Sequence, residues 1–513
     1  MRIGIDVGGT NTDAVLMDRA ELAGRAKVPT SPDVMSGIVA ALGELLDQAP
    51  KGVPVEAVML GTTHFTNALL EQTDLSPTAT LRLALPANRL LPPFVDWPGP
   101  LREAAGGLAY MVRGGHEYDG REISPADLPE VRSAVRDMVK RGVEAVAVSG
   151  VFSAVNPTHE DAAAEVIRQE APHLHVTLSR DIGRIGILER ENAAALNACL
   201  AGTAVRTIRG IRDAMESLGL DAPLYLSQND GTLMDAAYAA RFPVFTIASG
   251  PTNSMRGATY LSGIEDGIVV DVGGTSTDVG ALARGFPREA SVAVSIAGVR
   301  TNFRMPDVFS IALGGGSIVG VDPLSIGPRS VGYRLSREAR VFGGGTLTTT
   351  DVAVASGRAR VGDPALVADL EAGLVSGTAN RIQEMVEDAV DQVKLSAAPV
   401  PVVLVGGGSI LVGEPVKGAS KVLRPDHFDV ANAIGAAIAQ VGGQVERVLA
   451  LEGIDRDEAL AGARDEAVSK AVGAGADPAT VRIVEMEEVP LAYLPGNAMM
   501  IRAKAVGDLA IAT

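Results

Sequence analysis

The sequence predicts an α/β protein built from two similar halves that face a shared cleft. Three observations carry that expectation. The pattern Asp-Val-Gly-Gly-Thr-x-Thr-Asp occupies residues 6–13 and recurs at 271–278, which marks an internal duplication. Each copy is flanked by apolar runs, Ile-Gly-Ile and Ala-Val-Leu-Met around the first, Ile-Val-Val and Val-Gly-Ala-Leu around the second, so each reads as strand, glycine turn, strand. Elsewhere strand-like and helix-like segments alternate, the signature of layered α/β structure.

The elements follow in order. After the first hairpin, Ser31 and Pro32 form an N-cap and N1 pair, and Ile38, Leu42, Leu45 and Leu46 then share one helical face. Strands are expected at 55–60, 80–85 and 143–152, with 86–120, rich in Pro and Gly, as an irregular insertion. A helix from about 157, a strand at 175–179 and a long Ala-rich helix at 188–215 follow. A strand at 224–227, a helix at 231–240 and a strand at 244–248 lead into the second hairpin. Beyond it come a helical stretch at 364–395, a strand at 402–405 and a helix at 430–440. The tail offers a helix at 456–472 and strands near 481–486 and 499–505. The expected division is therefore 1–187 for the first half, 188–442 for the second, and 443–513 for a small C-terminal α/β segment.

Composition narrows the function. The formal charge of −17 and an aromatic content of 4% disfavour nucleic acid, which needs a basic surface and stacking platforms. No apolar run approaches the roughly 20 residues that cross a bilayer, so no membrane partner is expected. The chain opens directly on a strand without an export signal, which points to the cytoplasm. The single cysteine, Cys199, supports neither an internal disulfide nor a cysteine metal cluster and reads as a small core residue. The six histidines lack zinc-site spacing.

The repeated turn has a chemical reading and a plain one. For a nucleotide, Gly8, Gly9 and Thr10 with Thr12, and Gly273, Gly274 and Thr275 with Thr277, would bring backbone N–H groups and hydroxyls to phosphate oxygens where a Cβ would collide. Asp6 and Asp271, at strand ends, would hold Mg²⁺ through its waters. Alternatively the glycines only make tight turns and the aspartates cap them. Recurrence of eight positions favours the chemical reading. Gly406, Gly407, Gly408 and Ser409 close an apolar strand and can pass beneath a nucleoside, as can Gly314 and Gly315; loops without a ligand are the bland alternative. Ser249, Gly250 and Pro251 are candidates to line the cleft. For a second substrate the candidates are Thr62, Thr63 and His64, then Asn229 with Asp230, and Asp307. An N-cap by Thr62 or Thr63 is the competing reading.

The ordered set IGIDVGGTNTDAVL, GTTHFTNALLE, ERENAAALNACL, SQNDG, SGPTNSMRGA, IVVDVGGTSTDVGAL, ALGGGSIVGVD and VLVGGGS resembles the hydantoinase/oxoprolinase family A subunit, in a short form, across nearly the whole chain. The resemblance implies two ribonuclease-H-like halves of the actin, hexokinase and Hsp70 superfamily around a nucleotide cleft. It implies ATP and Mg²⁺ as cofactors and a cyclic amide as substrate, a hydantoin, lactam or 5-oxoproline-like ring. The amide oxygen would be phosphorylated and water would then open the ring. A B-type subunit and an oligomeric assembly are the implied partners. Asp6 and Asp271 take the metal's waters, while Asp13 and Asp278 orient that site or reach the reacting centre. Phe309 stands where longer members carry His, and their Pro-Gly-Pro-x-Cys-Tyr segment is replaced near 336–342. Two other readings stay open: a small-molecule kinase, or an ATP-driven switch of the actin and Hsp70 type.

Overall fold

A computed structural model describes residues 1–30, 34–50, 52–290, 293–450, 455–491 and 498–510. The expected cap at Ser31 and Pro32 lies outside them. The helix it precedes runs Val34–Gln48 and buries Ile38, Leu42 and Leu45.

Both repeats fold as antiparallel hairpins with the same register. Strand Arg2–Val7 pairs with Asn11–Asp18, opposing Asp6 to Asp13. Strand Gly267–Val272 pairs with Thr277–Ala283, opposing Asp271 to Asp278. Each hairpin then recruits a parallel neighbour, Ala57–Thr62 for the first and Val400–Val405 for the second. The duplicated sequence thus nucleates two sheets of like design.

The first sheet has nine strands. From one edge they run Glu21–Pro29, Asn11–Asp18, Arg2–Val7, Ala57–Thr62, Leu224–Ser227, Thr232–Asp235, Gln440–Ala450, Ala498–Gly507 and Arg482–Pro490. Sheet pairing therefore crosses the divisions expected at 187/188 and 442/443. Residues 224–235 join the N-terminal sheet, and the C-terminal strands extend it as a long antiparallel ribbon instead of standing alone. Period-2 patterning announces a strand but not its neighbour, so sequence order is a poor guide to sheet membership here.

The second sheet joins Phe286–Pro287, Thr277–Ala283, Gly267–Val272, Val400–Val405 and Ala419–Leu423, with Val308–Ile311 paired to the hairpin's second strand. A third sheet, all parallel, is inserted after the first hairpin's neighbours: Leu108–Arg113, Thr78–Leu85, Ala145–Gly150 and His175–Leu178. Its first strand and a short helix, Gly99–Ala104, occupy the stretch expected to be irregular. Helix Ile187–Ser217 binds this sheet to the rest through a fully buried ion pair. Arg82 Nε donates to Glu191 Oε2 at 2.7 Å, and Ser149 Oγ donates to the same oxygen at 2.6 Å.

Two local expectations give way to tertiary context. Residues 231–235 form strand Thr232–Asp235 before a short helix, Ala236–Arg241, because Asp235 caps that helix through Ala237 and Tyr238 N–H. The strand expected at 244–248 is one 3₁₀ turn, Pro243–Thr246, and the helix Ser249–Ser262 begins immediately after Ala248 in a left-handed conformation. The helical stretch at 364–395 resolves into a 3₁₀ turn, Pro364–Val367, and helix Ala372–Val393. Among the described residues no helix is long and apolar enough to cross a membrane.

The halves meet where helices Ser249–Ser262 and Ala431–Ala437 cross. Contact there is backbone on backbone: a Cβ on Gly257 would sit 1.8 Å from Ala431 O, and one on Gly435 1.8 Å from Asn253 O. Such close approach excludes any side chain at the crossing and fixes both helices against the hairpins.

Candidate functional site between the repeated hairpins

The two glycine turns touch. A Cβ added to Gly274 would lie 2.8 Å from Thr10 Cβ and 2.2 Å from its hydroxyl, so the second turn approaches the first only because position 274 lacks a side chain. Each turn is closed identically, Gly8 N–H donating to Asn11 O at 3.0 Å and Gly273 N–H to Ser276 O at 2.9 Å. Gly9 and Thr275 are exposed at the tips.

Not every residue of the repeat reaches this junction. Thr277 is fully buried and donates to Leu313 O at 2.7 Å. Thr12 is fully buried beside Gly37 of the first helix, its hydroxyl without a partner. Both belong to the strands, where alternate side chains point into the core, so the expected set contracts to Gly8, Gly9, Thr10, Gly273, Gly274 and Thr275. Gly314 and Gly315 move as well. Gly315 N–H donates to Gly273 O at 3.0 Å, and Gly316 N–H to Gly274 O at 2.7 Å, so this buried glycine loop buttresses the second turn from behind. Gly406 has a positive φ of 81° and packs on Asp271, Gly407 is exposed, and Gly408 and Ser409 are buried under the turn. Of that cluster, only Gly406 and Gly407 present open backbone.

The aspartates form one electrostatic group. Asn253 Nδ2 donates to Asp6 Oδ1 at 3.2 Å; Asn432 Nδ2 donates to Asp6 Oδ2 at 3.0 Å and to Asp13 Oδ2 at 3.1 Å. Lys27 Nζ pairs with Asp13. Across the junction Ser254 Oγ donates to Asp271 Oδ2 at 2.5 Å, and Ser310 donates to Asp278. Consecutive residues of one helix, Asn253 and Ser254, thus hold the leading aspartate of each hairpin. Burial, opposed by the Asn253 hydrogen bond, pushes the Asp6 carboxyl up to about 6. Asp271 is pushed up to about 7, first by burial and then by Asp278, Asp6 and Asp13. Burial also raises Asp13 and Asp278. Among the described residues the hydrogen-bond partners of Asp6 and Asp271 are neutral. Such buried oxygen donors, short of positive charge, suit a hard divalent cation that keeps its waters.

The second-substrate candidates separate. In the first sheet Val7 pairs with Thr62 at the carboxyl ends of parallel strands, and the next parallel strand, paired as far as Leu60 with Leu226, ends at Ser227 just before Gln228. Thr63 Oγ1 donates to Val7 O at 3.2 Å and its methyl lies against Gly250, the second residue of the Asn253 helix, so Thr63 and Ser249–Pro251 border the first turn. Thr62 is buried and accepts from His64 N–H at 3.1 Å, the helix-start role. Burial lowers His64, favouring neutral imidazole. Asn229 instead donates to Arg304 O at 2.8 Å and lines a separate cavity of about 580 Å³. Asp307 is removed from the set: Arg288 holds it at 2.6 Å, and it lies beyond Val308, which pairs with Gly280, well up the strand from the turn.

Sequence reasoning missed Asn253, Ser254, Asn432 and Lys27. The signal available for the first three was a polar side chain next to the small residues that let the two helices cross, Gly257 and Gly435. Cys199 is buried as expected, and burial pushes its thiol up to about 12, which keeps it unreactive. His116, Glu122 and His159 lie close enough to suggest a metal. His159 Nδ1, however, accepts from Gly115 N–H at 3.0 Å, so Nε2 carries the proton and donates to Glu122 at 3.0 Å. That closes the group as a hydrogen-bond set.

Comparison with known proteins gives the family and the fold. Residues 2–171 match the hydantoinase/oxoprolinase N-terminal region and residues 190–363 match hydantoinase/oxoprolinase, together two thirds of the chain. The caprolactamase subunit alpha of Pseudomonas jessenii is 29% identical over 69% of this chain and 54% of its own length. The acetophenone carboxylase gamma subunit of Aromatoleum aromaticum is 29% identical over 69% of this chain and 53% of its own. The chain thus spans about half the length of these curated relatives. The solved ATP-dependent caprolactamase of Pseudomonas jessenii superposes with a TM-score of 0.79 at 21% identity, covering 99% of this chain and 88% of that one. The paired hairpins and their sheets are the two ribonuclease-H-like halves of an actin-like ATPase fold, and the chain belongs to the hydantoinase/oxoprolinase family.

Proposed function

We propose that this protein uses ATP to activate a cyclic amide for hydrolysis, working in an oligomer with a B-type partner subunit in the cytoplasm. The observation that carries the reading is the contact between the two repeated turns, with Asp6 buried behind the first and Asp271, partly buried, behind the second. The names of the relatives support it: one is a caprolactamase subunit and another a 5-oxoprolinase, and three are named as alpha, beta or gamma subunits.

In this reading the turn amides of residues 9–10 and 274–275, with the hydroxyls of Thr10 and Thr275, receive the β- and γ-phosphates. Gly406 and Gly407 pass beneath the nucleoside. Bound Mg²⁺, its waters held by Asp6 and Asp271, would neutralise the charge that develops during transfer. Asn253, Asn432 and Ser254 fix the rotamers of those carboxylates, and Asp13 and Asp278 stand behind them. The amide oxygen attacks the γ-phosphorus, the bond to ADP breaks, and a phosphorylated imidate forms. Water then adds to its carbon, the ring C–N bond breaks as the nitrogen takes up a proton, and a second water hydrolyses the resulting acyl phosphate to carboxylate and free phosphate.

The test follows phosphate and ADP release over a panel of lactams, hydantoins and hydroxylated small molecules, with and without a B-type subunit. Ketones with bicarbonate belong in the panel, since two relatives carry carboxylase names. Ring-dependent phosphate release with an opened product supports the reading. A phosphorylated alcohol as product would make the protein a kinase, and hydrolysis that no small molecule accelerates would make it a switch. Asp6→Ala and Asp271→Ala should each lose turnover while keeping the fold.

A further inference from the structure

We infer that Lys27 is a positioning residue for the Mg-nucleotide: it fixes Asp13 and, through Asn432, the rotamer of Asp6. This inference rests on the nucleotide and metal site of the proposed reading and is independent of the second substrate.

Sheet register singles this residue out. Each hairpin acquires a third antiparallel strand, Glu21–Pro29 beside the first and Val308–Ile311 beside the second. Directly opposed residues on neighbouring strands share a face, with Cβ atoms about 5 Å apart. The first half therefore carries the row Asp6, Asp13, Lys27, and the second the row Asp271, Asp278, Ser310. The duplication repeats both aspartates and breaks at the third place. Ser310 is exposed and gives Asp278 a neutral hydroxyl, whereas Lys27 gives Asp13 a full positive charge.

The hydrogen bonds carry that charge to Asp6 at one remove. Asp13 is buried and both its oxygens are taken, Oδ1 by Lys27 Nζ and Oδ2 by Asn432 Nδ2 at 3.1 Å. The same Asn432 nitrogen donates to Asp6 Oδ2 at 3.0 Å, while its Oδ1 accepts from Ala433 N–H at 2.8 Å, so one setting of the amide serves both aspartates. Lys27 Nζ also donates to Asp429 O at 3.0 Å, and the preceding Phe428 O accepts from Gly406 N–H at 2.8 Å. One ammonium thus joins the carboxylate row to the turn assigned to the nucleoside. The Asp429 carboxylate, close enough to act on Asp13, pairs with Arg25 at 3.4 Å. Without Lys27, Asp13 keeps only the Asn432 amide, which is then drawn from Asp6 toward the unmatched charge. Charge alone predicts the reverse for the metal, because a site stripped of a cation attracts Mg²⁺ more strongly. The sign of the change therefore separates positioning from charge.

Calorimetry on the whole chain tests this without turnover, with a non-hydrolysable ATP analogue as the probe, once with Mg²⁺ and once with chelator. Lys27→Met should weaken the Mg²⁺ complex on the order of tenfold, the worth of a charge-assisted hydrogen bond, and the metal-free analogue by less than about twofold. Lys27→Arg should keep part of the affinity. In a chain that already carries Asp13→Asn, adding Lys27→Met should change the affinity by less than about twofold, because an amide at 13 needs no counter-charge. That double variant strands no charge and keeps the test open should Lys27→Met alone fail to fold. Tighter Mg²⁺-analogue binding in Lys27→Met, equal losses with and without Mg²⁺, or additive effects of the two substitutions would each overturn the assignment. A wild-type chain that binds no analogue would overturn it together with the nucleotide site, whereas a phosphorylated alcohol as reaction product would overturn the hydrolase reading and leave this assignment standing.

Discussion

The buried carboxylates make a quantitative prediction about the protein without nucleotide or metal. Asp271 is raised from 3.8 to about 7 in the fold. Between those values the folded state binds a proton that the unfolded chain has released, so stability falls as pH rises through that window. From about pH 5 to about pH 8 this single group costs roughly 2–3 kcal/mol. Asp271→Asn keeps the shape and still accepts from Ser254, but it cannot ionise. Chelator-treated wild type and Asp271→Asn would be unfolded in urea at both pH values. The variant should gain on wild type by roughly that amount between the acid and the alkaline measurement. Parallel pH dependence in the two proteins would refute the reasoning, because Asp271 would then ionise as freely folded as unfolded.

Other outcomes follow from the same geometry. Gly274→Ala drives a methyl into Thr10 and should cut nucleotide-dependent phosphate release on the order of tenfold to a hundredfold; Thr10→Gly in the same chain relieves that clash and should recover part of the nucleotide affinity measured by calorimetry, the remainder being lost with the Thr10 hydroxyl. Asn432→Ala removes a hydrogen bond that lowers both Asp6 and Asp13, so the acidic limb of the pH–turnover profile should move to higher pH, whereas an unmoved limb would show Asn432 to be structural only. Glu191→Gln leaves Arg82 buried without its counter-charge and should destabilise by about 3–5 kcal/mol in denaturant titration.

How much was legible in the sequence depends on the range of the interaction. The duplicated turns were readable because their chemistry is local: the same eight residues dictate strand, turn and strand twice, with Asp6 opposite Asp13 and Asp271 opposite Asp278. Long Ala-rich helices were readable too, as Ile187–Ser217 and Arg456–Gly473 illustrate. What failed was set by partners distant in sequence. Thr12 and Thr277 share the motif with Thr10 and Thr275, yet strand alternation turns their hydroxyls inward. Gly314 looks like a ligand loop in isolation and proves to be a prop for the second turn. Asp307 precedes that loop in sequence but is drawn off by Arg288. Asn432 joins Asp6 from 426 residues away, a contact no periodicity announces. The C-terminal strands were found as strands, while their place beside 232–235 depended on a parallel pairing to Gln440 and Val441.

The most direct measurement is hydrogen exchange on the wild-type chain with and without a non-hydrolysable Mg-ATP analogue, at concentrations where calorimetry reports binding. Exchange at residues 9–10 and at 274–275 should slow together. Protection of one turn alone, or of neither while the analogue is bound, would contradict the claim that both hairpins grip a single triphosphate.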